Sequence, residues 1–229
     1  MFQGKTIACI IPARSGSTSI KNKNLCIVGR ETLLARSIRH AKESKHLDNI
    51  IVSTNGESIK REATLKGATV LNRPEEISGP KSSTEEALLH ALQYMQTDYI
   101  VVLQPTSPFR SPGLIDRCVE KIIDEQGDSL VACWKFHNFC FYQKAELGDW
   151  LATYDYQHRP MHQDIKLCDF HYFDAGCVYI VKSSFLLKQK CRLGGKIVVV
   201  PISLVETIQI DSPEELEICQ KIADGLDEY

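Results

Sequence analysis

Short apolar segments alternate with helix-forming ones along most of the chain, and this alternation constrains the fold more than any other feature. Strands are predicted at Ile7–Ile11, Asn49–Ser53, Ala68–Leu71, Tyr99–Leu103, Ser129–Lys135, Cys177–Val181 and Lys196–Pro201. Helices are predicted over Thr32–Ser44, Glu57–Lys66, Ser83–Met95, Pro112–Glu125, Ser183–Lys190 and Pro213–Ala223. Local chemistry supports these limits. Asn49–Ser53 is rich in β-branched residues, Gly67 suits the left-handed position just past a helix, and Ser83-Thr84-Glu85-Glu86 has the form of a capping box. Such an alternation predicts an α/β fold with a doubly wound, mainly parallel sheet covered by helices on both faces. Ligands of such sheets gather at the carboxyl ends of the strands.

The chain has 229 residues, of which 43% are hydrophobic, enough for one α/β domain spanning 1–229. Residues 136–172 break the rhythm. They combine Phe136, Phe139, Phe141, Tyr142, Trp150, Tyr154 and Tyr156 with His137, His158, His162 and His171. A segment this aromatic is poorly solvated alone, so it is expected to form an extended arm covered by a second copy in a homodimer. The 27 basic and 29 acidic residues leave a net charge of −2. That balance gives no field for nucleic acid or a membrane surface. Nine cysteines without metal-ligand spacing point to a reducing, cytoplasmic setting. Lys5 interrupts the early apolar stretch, and no run approaches the ~20 apolar residues of a membrane span.

Any phosphate site must therefore come from a local cluster of cations. The best candidate follows the first strand, where the apolar run Thr6–Ile11 breaks at Pro12 into a loop of small residues carrying Arg14, Lys21 and Lys23. The backbone N–H groups of such a loop can wrap phosphates while its cations neutralise them. Three further segments stand at strand ends or helix starts. They are Arg73-Pro74 with Lys81-Ser82-Ser83, the stretch Leu103-Gln104-Pro105-Thr106-Ser107-Pro108-Phe109-Arg110, and Gln209-Ile210-Asp211-Ser212-Pro213-Glu214-Glu215. Asp211 fits an N-cap as well as a metal ligand, because Asp before Ser-Pro-Glu-Glu is a helix-start pattern.

Taken together these segments resemble the acylneuraminate cytidylyltransferase family, the CMP-sialic acid synthetases and their relatives. Pro12-Ala13-Arg14 and Lys23-Asn24 match its opening loop, and Arg73-Pro74 its Arg-Pro step. Leu103 to Pro108 matches its Leu-Gln-Pro-Thr-Ser-Pro segment without change, and Asp174-Ala175-Gly176-Cys177-Val178-Tyr179 approximates its Gly-Ala-x-Tyr-like one. The resemblance implies a Rossmann-like nucleotidyltransferase fold. It also implies a reaction in which CTP and an acidic nine-carbon 2-keto-3-deoxy sugar give a CMP-sugar and pyrophosphate. By the same resemblance Arg14, Lys23 and Asp211 carry catalysis. Pro12, Ala13, Arg14, Ser15, Asn24, Arg73 and Ser82 bind the nucleotide, and Gln104 and Tyr179 bind the sugar. Asp211 and Gln209 hold Mg²⁺. Four places depart from the family pattern: Thr18 stands where a lysine is usual, Gln209 where an aspartate is usual, Ser53-Thr54-Asn55-Gly56 where Ser-Thr-Asp-Asp is usual, and His162-Gln163-Asp164 where Arg-Gln-Asp is usual. Another nucleotide, another acid sugar, or a nucleotide-binding homologue with little turnover are the alternatives.

Overall fold

The structure is a computed structural model that describes residues 1–136, 140–143, 150–159, 161 and 171–225. Seven strands form one sheet, in the order β11 (Ile197–Ile202), β7 (Ser129–Phe136), β10 (His171–Lys182), β6 (Tyr99–Val102), β1 (Ile7–Pro12), β4 (Asn49–Thr54) and β5 (Thr69–Asn72). The pairs β1–β4, β1–β6, β4–β5 and β7–β11 are parallel; β10 runs antiparallel to both neighbours. A hairpin of β2 (Ile27–Val28) and β3 (Glu31–Thr32) lies outside the sheet. A second small one joins β8 (Phe141–Gln143) to β9 (Trp150–Ala152).

Each central strand buries both faces because helices cover both. On one side Ile7, Cys9 and Ile11 pack with α1 (Leu33–Glu43), α2 (Glu57–Leu65) and α4 (Leu114–Asp124) through Leu34, Ile38, Ala63, Leu114 and Cys118. On the other side Ile10, Ile100, Val102 and Val181 pack with α3 (Thr84–Ala91) and α5 (Ser183–Gln189) through Leu88, Ala91 and Leu186. Each buried isoleucine, leucine or valine side chain among them contributes about 1.5–3 kcal/mol. Buried thiols serve as small hydrophobes here: Cys9, Cys118 and Cys177 are fully enclosed. A third cluster of Val28, Leu33, Phe109, Ile210 and Cys219 ties the β2–β3 hairpin to α6 (Pro213–Gly225).

The mainly parallel doubly wound sheet is as predicted, with one difference in direction. The apolar run Cys177–Val181 belongs to a longer strand, β10, which pairs with β7 from His171↔Phe136 to Val181↔Ser129. It returns as the second leg of a long hairpin and so must run antiparallel; a run of apolar residues carries no mark of direction. Helix ends also differ. The helix predicted to reach Met95 stops at Ala91, where Gln93 and Tyr94 donate to His90 and Ala91 three residues back and tighten the last turn. The helix predicted from Pro112 starts at Leu114, with Gly113 left-handed at its N-cap. Phe139, His137, His162 and much of the predicted arm lie outside the described residues. Phe136, β8 and β9 within it are described.

Candidate active site

The carboxyl ends of β1, β4, β5 and β6 point the same way, so their loops converge. β1 ends at Pro12, and Ala13 turns into the core while its N–H donates to the Ser53 carbonyl at 3.0 Å. The Ser15 N–H donates to Asn55 Oδ1 at 3.0 Å, and Asn55 in turn donates to Glu75. Asn24 folds the loop back on itself by donating from Nδ2 to the Arg14 carbonyl at 3.0 Å. The loop thus leaves Arg14 and the run Ser17–Ser19 along one wall of a cavity of about 450 Å³. That volume lies within the roughly 300–1,000 Å³ of small-ligand sites.

Arg73 forms the floor. It follows β5, is buried, and donates from Nε to Ser53 Oγ at 3.1 Å and from Nη2 to the Ser53 carbonyl at 2.7 Å. Burial, with the charge of Arg14 beside it, pulls its guanidinium down to about 10, so it remains a cation at neutral pH. Ser82, Ser83 and Thr84 bring the start of α3 to the same wall. The predicted capping box is present there: Glu86 N–H donates to Ser83 Oγ, and Ser83 N–H donates to the Glu86 carboxylate.

Asp211 reaches this cavity from the far end of the chain. Ile210 is buried and its N–H donates to the Thr106 carbonyl at 2.9 Å, which fixes the next residue at the rim. Lys23 Nζ then donates to Asp211 Oδ1 at 2.8 Å and to the Ile210 carbonyl at 2.9 Å. The expected phosphate cation and the expected metal ligand are therefore ion-paired with each other, a contact no local motif announces.

A second cavity, of about 560 Å³, opens beside the first and shares Gln104 and Asp211 with it. A bulge in β10 between Asp174 and Tyr179 shapes its wall. Gly176 sits there at φ +65°, a conformation glycine adopts without strain. A Cβ on it would lie 2.5 Å from Gln104 Oε1 and still closer to the Gln209 amide. Tyr179 donates its hydroxyl to Asp174 Oδ1 at 2.8 Å; burial and the Asp174 bond push it up to about 12, so it stays a proton donor.

Of the residues expected to act on ligand, Pro12, Arg14, Lys23, Asn24, Arg73, Ser82, Gln104 and Asp211 line the first cavity. Gln104, Tyr179, Gln209 and Asp211 line the second. Ala13 and Ser15 line neither: one packs in the core, and the other is held against Asn55. Lys21 and Lys81 are exposed and line neither. Gln209, expected beside the metal, directs its amide N–H to the Ala175 carbonyl. Among the described residues no cluster of three or more His, Cys, Asp or Glu could hold a metal. A single carboxylate such as Asp211 still suits Mg²⁺, which takes one or two carboxylates together with phosphates.

Two residues the sequence left unexplained hold the site together. Arg110 is buried and donates to the carbonyls of Gln104, at 2.8 Å, and Cys177, at 3.0 Å, so it clamps the proline-rich loop to the β10 bulge. Burial lowers its guanidinium from the usual arginine range. Glu206 is buried and accepts from Ser111 N–H, Ser111 Oγ and Ser203 N–H at 2.7–2.8 Å. Burial raises its carboxyl, but the bonds from Ser111 and Ser203 outweigh this and hold it below the usual value. Arg192 and Asp174, also unforeseen, line the second cavity.

The loops at the carboxyl ends of a mainly parallel sheet thus gather cations around one cavity, with a second cavity beside it. The cytidylyltransferase family profile matches residues 8–142, more than half of the chain, and the chain belongs to that family. It is similar to the N-acylneuraminate cytidylyltransferase of Escherichia coli, with 44% identity over 116 residues that make up 50% of this chain and 27% of the relative. The chain thus spans about a quarter of that relative's length. It is also similar to the pseudaminic acid cytidylyltransferase of Campylobacter jejuni, 28% identical over 93% of this chain and 94% of the relative. The fold is shared with a CMP:2-keto-3-deoxy-manno-octonic acid synthetase solved with CTP, at 13% identity and a TM-score of 0.71 over 96% of this chain and 100% of the other. The resemblance drawn from the motifs is borne out by these relatives, and the chain is a nucleotidyltransferase by family. Among the described residues no helix is long and apolar enough to cross a membrane.

Proposed function

We propose that the chain joins CTP to a nonulosonic, sialic acid-like sugar and releases pyrophosphate. One observation carries this reading: a cation-lined cavity and a second cavity meet at Gln104 and Asp211. The triphosphate takes the first, with Arg14, Lys23 and Arg73 against its oxygens and the start of α3 alongside. The sugar takes the second. Its anomeric hydroxyl oxygen forms a bond to the α-phosphorus, the bond from that phosphorus to the bridging oxygen breaks, and pyrophosphate leaves with the bonding electrons. The hydroxyl proton passes to solvent. Positioning and cationic stabilisation of phosphate charge do most of the work in such transfers.

Asp211 is the residue suited to hold Mg²⁺, which when bound would add positive charge at the phosphates. Lys23 keeps Asp211 neutralised in the nucleotide-free protein and is drawn to phosphate when a triphosphate arrives. A homodimer belongs to this reading, supported by exposed Phe141, Trp150, Tyr172 and Phe173 on and beside the arm. A cytoplasmic setting is supported by the described cysteines, all of which are free.

The test is pyrophosphate release with CTP and a panel of sialic, legionaminic and pseudaminic acids, beside calorimetry of CTP binding. Release with at least one pairing is expected; its absence with every sugar refutes the reading. A second reading, a nucleotide-binding homologue with little turnover, draws on Gln209 and Thr18, where the family's aspartate and lysine are missing. CTP binding without release, restored by Gln209→Asp, would favour it.

A further inference from the structure

Arg192 stands in the link between α5 and β11, and nothing in the family motifs accounts for it. Its guanidinium lies over the Tyr179 ring, with Cζ 4.6 Å from the centroid. Its Nη1 donates to Glu85 Oε1, on the first turn of α3, at 2.6 Å. Its Nε is buried and has no hydrogen-bond partner in the protein. A hydrogen bond to Tyr179 accompanies the one to Glu85, so the guanidinium is held from two sides while its side chain lines the second cavity.

The surroundings decide what Arg192 can recognise. It is the one cation among the described residues that line the second cavity; the other ionised groups there are Asp174, Asp211 and Glu215. Glu85 already offsets its charge. A carboxylate is therefore disfavoured beside Arg192 and is drawn instead toward the first cavity, where Arg14, Lys23 and Arg73 are grouped. What Arg192 retains at the cavity wall is N–H donor capacity beyond its bonds to Glu85 and Tyr179, suited to an uncharged oxygen. Stacking on Tyr179, and the Tyr179–Asp174 bond behind it, fix the direction of the guanidinium.

We propose that Arg192 is a specificity-determining residue, donating a hydrogen bond to an uncharged oxygen on the acceptor sugar, an acylamino carbonyl or a hydroxyl, at the end remote from its carboxylate. The inference rests on the functional reading above, since it needs the sugar in the second cavity. It adds an orientation: the carboxylate end faces the nucleotide and the substituted end faces Arg192.

The experiment compares kcat/KM for an active acid sugar and a set of analogues each lacking one oxygen, with wild type, Arg192→Met and Arg192→Lys. In the wild type, loss of the recognised oxygen is expected to lower kcat/KM about 10- to 100-fold, the scale of a hydrogen bond to a charged group. In Arg192→Met that penalty should vanish at one position only, while the penalties at the other positions and the CTP Kd are unchanged. Arg192→Lys keeps charge and stem, and should lose most of the same discrimination because an ammonium cannot hold Glu85 and the sugar in one plane. If Arg192→Met loses CTP binding through misfolding, Arg192→Lys is judged by the same criterion. An equal fall for every acceptor, or persistence of every penalty, overturns the proposal for Arg192 alone. A wild type that binds CTP yet turns over no acid sugar overturns the functional reading together with it.

Discussion

Replacing Gly176 by alanine should damage the sugar side of the site while sparing the nucleotide side. Gly176 has φ +65°, and the left-handed region disfavours residues with a Cβ by about 1–2 kcal/mol. The new Cβ would also lie 2.5 Å from Gln104 Oε1, with the Gln209 amide nearer still. Both contacts are the ends of side chains, so they can swing away, but Gln209 then loses its bond to the Ala175 carbonyl. A neutral hydrogen bond of this kind contributes about 0.5–1.5 kcal/mol. Together the loss comes to roughly 1.5–3.5 kcal/mol, or about 3–14 °C in Tm for a chain of this size. Gly4→Ala isolates the backbone part, because Gly4 has φ +72° and open space where the Cβ would stand. Urea denaturation of both variants, with kcat/KM for CTP and for the sugar, separates the effects. Gly176→Ala should be less stable than Gly4→Ala and lose sugar kcat/KM at least tenfold while the CTP Kd holds. If the two variants match in stability and Gly176→Ala keeps its sugar kinetics, the packing of Gln104 and Gln209 over the bulge has no functional weight.

Lys23→Ala should cut pyrophosphate release at least a hundredfold yet lower stability by no more than about 1 kcal/mol, because its partner Asp211 is largely exposed; activity near wild type would remove Lys23 from the phosphate site. Glu206 sits below its unfolded pKa, so the unfolded chain takes up its proton first as pH falls, and the stability it contributes above about pH 4.5 is lost below that value. Melting curves between pH 6 and 3 should show a smaller acid slope for Glu206→Gln than for wild type, from a lower starting Tm; parallel slopes would contradict this. Burial raises the Cys9 thiol to about 12 and the Cys177 thiol to about 11, while Cys191 is exposed. Mass spectrometry after brief iodoacetamide treatment of the native protein should find Cys191 modified and Cys9 and Cys177 untouched, and labelling of Cys9 would refute its burial.

Much of this fold could be read from the chain because strands and helices leave local marks. The Ser83 cap is seen in the structure as a side-chain oxygen accepting from Glu86, and Gly67 is left-handed where the helix before it ends. The direction of β10 left no such mark, since period and composition are the same either way. In the site, Arg14, Lys23, Asn24 and Arg73 could be placed near one another because each follows a strand of a parallel sheet. The Lys23–Asp211 pair could not, as 188 positions separate the two residues and the contact depends on Ile210 being buried beside Phe109. Arg192 was silent for a related reason: its partners Glu85 and Tyr179 lie on different elements, and no spacing in the chain links the three.

Charge in this site is divided between two tasks that cannot be exchanged. Arg14 and Lys23 border the open cavity, where the proposed triphosphate could reach them. Arg110 follows the proline-rich loop just as a phosphate ligand would, but it is enclosed, and its N–H groups are committed to the Gln104 and Cys177 carbonyls. Exposing it to a phosphate would strip two buried carbonyls of their donor, each at a penalty of about 1–3 kcal/mol. Glu206 is committed in the same way to Ser111 and Ser203, on the loops that flank Arg110 and Asp211. These enclosed charges therefore act as rivets between segments that the sequence separates widely. Arg110 fixes the Gln104 backbone through its carbonyl, and the Gln104 side chain lines both cavities. On the function proposed above, a transfer between the two cavities would need both ligands at a set distance from Gln104, and Arg110 would support it by holding the Gln104 backbone in place.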